Sequence, residues 1–225
     1  MNWKILLGVW MTAVIVLGLS LPMSTNPQNW YELPTIKGLE EKARIMFFHV
    51  PMAWLSAVAF VLSMIYGIRY LRGKNMDDDI KSASAAGLGL LFCVLATVTG
   101  AIWARFSWGT YWNWDPRQTS IFVLLLIYGA YFALRSAVEI EEKRAALSAV
   151  YSIIGAVTMT FFMFIMPRIL ASLHPEPILN VQGKVHMNTT MLIIFISSLA
   201  GFTGLFFWMW NLRIRTTRIE AHQPH

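Results

Sequence analysis

The chain has 225 residues, 56% of them hydrophobic and only 13% charged, about half the charged share of a soluble protein. Its mean hydropathy is +0.54, more apolar surface than one water-soluble domain can cover, which points to an all-α integral membrane protein. The net charge of +6 then reads as membrane topology rather than nucleic-acid binding, because Lys and Arg gather on cytoplasmic loops.

Six apolar stretches can cross roughly 30 Å of hydrocarbon. They run about 3–22, 45–70, 83–104, 118–138, 146–167 and 189–211, and predict a six-transmembrane-helix bundle in a single domain, 1–225. The first is read as an uncleaved helix: its apolar run is long, and Leu21-Pro22-Met23-Ser24 is a poor site for signal cleavage. RGKNMDDDIK separates the second stretch from the third, and Cys93 lies inside the third. A lone cysteine excludes an intrachain disulfide and a CxxC pair, and is expected to pack as a small apolar residue. EIEEKR follows the fourth stretch and HPEPILNVQGK the fifth. The polar C-terminal tail carries His222 and His225 and reads as a solvated end.

The charges give an orientation. With the N-terminus cytoplasmic, that side holds Lys4, Arg69, Arg72, Lys74, Lys81, Arg135, Lys143, Arg144, Arg213, Arg215 and Arg218. The other side holds Lys37, Lys42, Arg44, Arg105, Arg117, Arg168 and Lys184. Eleven against seven predicts N-in, C-in. The segment 22–44, the loop around 105–118 and the segment 168–188 then share the outer side, with His49, His174 and His186.

The loop at about 105–118 contains WGTYWNWD, residues 108–115. Asp115-Pro116 reads as the start of the fourth helix, with Pro at the first helical position and Asp accepting from free N–H groups. An interfacial belt would account for one or two aromatic residues at this depth. Trp108, Tyr111, Trp112 and Trp114, with Gly109 keeping the backbone close, can instead form a platform for a large flat apolar ligand. Arg105 and Arg117 flank it and could bind ligand carboxylates. A planar macrocycle with two carboxylates is haem.

His49, in FFHVPMAW, opens the second stretch, and His174, in LHPEP, follows the fifth. Two imidazoles at one depth beside the aromatic loop suit axial ligation of haem iron. His186 competes with His174, which is favoured because Pro175 and Pro177 should hold the backbone extended. Met52, Met163, Met166 and Met187 could also ligate iron, but read as packing residues. No HExxH, close Cys/His set, phosphate loop or GxSxG elbow appears, so zinc chemistry and these enzyme classes are disfavoured.

WGTYWNWD and its continuation PRQTS resemble the tryptophan-rich WWD signature of haem-handling membrane proteins. Within that superfamily the chain most resembles the haem exporter protein C family of cytochrome c maturation (CcmC). The similarity rests on the six spans, the short length, and one histidine on each flank of the motif. It implies that haem b, iron protoporphyrin IX, is held at the outer face of the bacterial inner membrane with His49 and His174 as axial ligands. The cofactor-binding set it implies is Trp108, Gly109, Tyr111, Trp112, Trp114, Asp115, Arg105 and Arg117. It also implies handover to a periplasmic haem chaperone, with an ABC-type complex as partner, and binding rather than bond chemistry. A haem lyase subunit and a transporter are the alternatives. The transporter would need ionisable residues in mid-span, and Arg, Lys, Asp and Glu stay at the ends of the stretches.

Overall fold

In the computed structural model of the protein, residues 2–174 and 187–221 are described. Among them, six helical segments are long and apolar enough to cross a membrane. The helices are α1 (Trp3–Ser20), α2 (Met46–Gly73), α3 (Met76–Trp108), α4 (Pro116–Ala137), α5 (Glu141–Thr160), the short α6 (Met166–Ile169) and α7 (Thr189–Ala221). α2 lies against α3, α5 and α7; α4 packs on α3 and α5; α1 rests on α7.

Several helices run past the apolar stretches that announce them. The polar separator after the second stretch shrinks to Lys74-Asn75, and the acids Asp77, Asp78 and Asp79 belong to the first turn of α3. Local chemistry explains this. Lys74 adopts the left-handed conformation that ends α2, Asn75 caps Asp77 N–H at 2.9 Å, and acids favour the positive end of the helix dipole. At the far end α3 continues through Trp108 and stops at Gly109, whose φ of +82° suits glycine. Arg105 and Trp108, expected in the loop, are therefore helical. With 33 residues each, α3 and α7 reach about 50 Å and project beyond the hydrocarbon.

The interior depends on close backbone approach, as it must where lipid removes the usual drive to bury apolar surface. A Cβ on Gly67 would sit 2.5 Å from Ser152 Oγ and 3.3 Å from the Ala149 backbone of α5. Phe60 of α2 stacks on Tyr128 of α4 with ring centroids 3.5 Å apart. Cys93 is buried in the same cluster, in line with its expected packing role. Met52, Met163 and Met187 pack among hydrophobic neighbours.

Two prolines shape the helices near one end. Pro51 lies inside α2 and has no N–H for the Phe47 carbonyl one turn earlier. The Ser198 hydroxyl of α7 donates to that carbonyl instead, tying α7 to α2 where water cannot substitute. Just before Pro167, α5 widens into a π-helical turn, Phe161–Ile165.

Residues 21–45 cover the same end as His49. Leu33 is fully buried against Phe47 and the start of α7. Arg44 donates to the carbonyls of Gly18 and Leu21 at 3.1 and 2.7 Å, capping the negative end of α1. A two-residue parallel bridge joins Met23–Ser24 (β1) to Leu33–Pro34 (β2).

Candidate functional site

The two histidines meet at one end of the bundle. His49 is in the first turn of α2 and His174 follows α6, yet their imidazoles are near enough for their charges to interact. Each ring is held by its Nδ1. His49 Nδ1 lies 3.0 Å from Thr99 Oγ1 of α3. That hydroxyl has its own proton directed to the helix carbonyls of Leu95 and Ala96, at 2.8 and 3.1 Å, so the imidazole must donate. Gly100 makes room for the ring: a Cβ there would come within 3.0 Å of His49 Cε1.

His174 is fixed by Asp115, whose Oδ1 lies 3.0 Å from Nδ1. The carboxylate is almost wholly buried and is a hub. It accepts from Arg117 N–H at 2.9 Å, from Leu173 N–H at 2.7 Å, and from Ser172 Oγ at 2.9 and 3.0 Å. As expected, Asp115 caps α4. It also clamps the residues leading to His174.

Burial opposes the charge on Asp115, but the Leu173 and Arg117 N–H groups, the Ser172 hydroxyl and His174 outweigh it and hold the carboxyl below its ordinary range. Burial also lowers His174 below the ordinary imidazole value; Arg117 adds to this and Asp115 opposes it. The contact is therefore a hydrogen bond from a neutral imidazole to a carboxylate rather than an ion pair. In both histidines Nδ1 carries the proton, and Nε2 keeps a lone pair that can ligate a metal.

The tryptophans form two groups. Trp108 packs edge-on against His174, with centroids 4.8 Å apart, and Trp103 lies beside the same ring at 5.8 Å and 32° and against Trp108 at 5.1 Å. Trp112 and Trp114 meet each other at 90° and both pack on Phe122 of α4. The motif is thus not one continuous flat floor, because edge-to-face packing is the favoured arrangement of neighbouring indoles. Tyr111 is exposed beneath the guanidinium of Arg105, which also donates to the Gly109 carbonyl.

The loop 109–115 is pinned. Gln118 accepts from Asn113 N–H at 3.0 Å and donates to the Tyr111 carbonyl at 3.2 Å. Thr119 Oγ1 donates to the Trp114 carbonyl at 3.2 Å. These bonds help hold Trp114 at a φ of +59°, a left-handed conformation that costs a non-glycine residue about 1 kcal/mol.

Arg117 has a buried Nε without a partner among the described residues, and Arg168 is near enough for the two charges to interact. An unpartnered buried guanidinium N–H beside a second cation fits a ligand carboxylate. Trp103, Thr99, Gly100, Gln118 and Ser172 escape sequence reasoning, although Trp103 precedes Trp108 by five residues in the same helix. His186, His222 and His225 lie outside the described residues.

Fold and site together define a multi-pass membrane protein with a paired-imidazole, tryptophan-lined site at one end of its bundle. The sequence profile of the family described as "Heme exporter protein C" matches residues 2–224. The chain is 32% identical over 200 residues to "Heme exporter protein C" of Bradyrhizobium diazoefficiens, covering 88% of this chain and 73% of that protein. It is 30% identical over 173 residues to the protein of the same description from Rhodobacter capsulatus, covering 77% and 72%. A shorter similarity, 31% over 90 residues, links 40% of the chain to 28% of "Cytochrome c biogenesis protein CcsA" from Fagopyrum esculentum subsp. ancestrale. The chain belongs to the haem exporter protein C family. Membership supports a role in cytochrome c maturation.

Proposed function

We propose that this protein holds haem b at the outer face of the cytoplasmic membrane and passes it to a periplasmic haem chaperone, working with an ABC-type complex. The observation that carries the proposal is the matched state of His49 and His174. Each imidazole has Nδ1 bound to a fixed acceptor and Nε2 left with its lone pair, at the same end of the bundle. Bound haem supplies an iron that takes two nitrogen ligands. The protein's own groups do the rest. Thr99 and Asp115 hold the rings in one tautomer, Trp103 and Trp108 pack together beside His174, and Arg105 and Arg117 receive the propionates.

The orientation follows the charge bias, which puts this end outside.

The deciding experiment is the visible spectrum of the detergent-purified protein. Soret absorbance should be lost or shifted in His49→Ala and in His174→Ala, and intact in His186→Ala. A colourless protein from haem-replete cells that takes up no added haemin would refute the proposal.

A further inference from the structure

The opposite end of the bundle holds a second, charged cavity. α7 packs along α1, α2 and α3, while α4 and α5 pack on α2 and α3 elsewhere, and α7 shares little direct contact with α4 or α5 among the described residues. Between them lies a cavity of about 280 Å³, lined by Asp79, Arg135, Glu141, Arg144, Arg213 and Thr217. Asp79 is about 36 Å from Trp103 along α3 at 1.5 Å per residue, so the cavity sits at the other membrane boundary from the histidines.

Its cations are unequally matched. Arg135 is neutralised, donating to both oxygens of Asp79 at 2.7 and 2.9 Å. Arg144 reaches Glu141 with one nitrogen at 3.3 Å, and its buried Nε has no partner among the described residues. Arg213 takes part in none of the ion pairs among the described residues. Its flat guanidinium rests on Gly87, where a Cβ would come within 2.7 Å of Cζ, Nη1 and Nη2. Three arginines against two carboxylates leave one net positive charge. The cavity wall continues into Ile80 and Phe132, which are apolar. By contrast, Asp77 at the same end is matched by Lys81 and Arg218, and Asp78 by Arg69.

We propose that this cavity binds the phosphate of an anionic phospholipid headgroup, with Arg144 and Arg213 as its donors. A guanidinium fork matches phosphate oxygens, and the net positive charge favours a headgroup without a cation of its own. The cavity lies at headgroup depth, and Ile80 and Phe132 meet the first carbons of the acyl chains. The bound phosphate joins α7 to α5 across the gap.

The test uses the detergent-purified full chain, with native mass spectrometry and thermal denaturation. The probes are dioleoylphosphatidylglycerol, dioleoylphosphatidylcholine and inorganic phosphate. Phosphatidylglycerol at about tenfold excess over its Kd should raise Tm by about 3–6 °C and remain as an adduct. Phosphatidylcholine and inorganic phosphate should do neither. The Arg144→Gln/Arg213→Gln variant should elute as the wild type does in size-exclusion chromatography and lose the phosphatidylglycerol response. Arg213→Gln alone should weaken it, which provides a readout if the double variant is not recovered. Equal stabilisation by both lipids, or a full response in the double variant, would overturn the proposal. Equal stabilisation by inorganic phosphate would overturn the lipid as its source.

Discussion

Asp115→Ala is the most informative single perturbation of the histidine site. The carboxylate accepts from Arg117 N–H, Leu173 N–H, Ser172 Oγ and His174 Nδ1, all within 3.0 Å and almost free of water. Loss of the helix cap costs about 1 kcal/mol. Hydrogen bonds to a buried charge contribute about 1.5–3 kcal/mol each, but they share one acceptor and do not add. Water entering the vacated space recovers part of the loss, which leaves about 3–5 kcal/mol and a Tm lower by about 10 °C. His174 also loses the partner that fixes its tautomer, which should weaken haem affinity by about 10–100-fold. Haemin titration followed at the Soret band, with thermal denaturation in the same detergent, measures both. Ser172→Ala separates the two effects, since it removes one partner of the carboxylate and leaves the cap. If Asp115→Ala binds haemin within about twofold of wild type, with an unchanged Soret maximum, Asp115 does not position the ligand and the reasoning fails.

Thr99→Val deletes the acceptor for His49 Nδ1 with little change in volume. Haemin affinity should fall by about tenfold, and an unaltered affinity would show that His49 needs no fixed tautomer. The pH response has a definite sign. His174 binds a proton less readily in the folded chain than at its ordinary value of 6.5, so the unfolded state holds more protons and stability declines as pH falls below about 6.5. Asp115, also lowered, adds a second loss below its ordinary carboxyl range. Thermal denaturation across this window should show a larger upper step in wild type than in His174→Ala. Ser198→Ala leaves the Phe47 carbonyl unsatisfied and should cost about 1–3 kcal/mol. Combined with Pro51→Ala, which restores an N–H to that carbonyl, the loss should shrink; a strictly additive double-mutant cycle would rule out the coupling.

Much of the site was legible because its residues are chemically conspicuous. Tryptophan density, two isolated histidines and an Asp-Pro helix start identify the region without coordinates. What escaped were residues of ordinary appearance whose importance comes from position. Thr99 is one of several threonines in apolar sequence until α3 brings it under His49. Ser172 gains its meaning from Asp115, which lies 57 positions away. Helix ends were misplaced for a related reason. Hydropathy reports where lipid contact ends, whereas Asn75, Lys74 and Gly109 set where the backbone stops being helical.

Composition and periodic apolar length alone determine that this chain is a bundle of six membrane-spanning helices. A bilayer admits few other ways to satisfy the backbone, so the solvent makes that inference strong. Family membership likewise follows from linear sequence. Tertiary structure alone decided how the aromatic motif is divided, with Trp108 turned to His174 and Trp112 and Trp114 turned to Phe122. It also decided that Asp115 serves as cap and histidine anchor at once, because hydrogen bonds of about 3 Å depend on where distant segments cross, and no local pattern encodes that crossing.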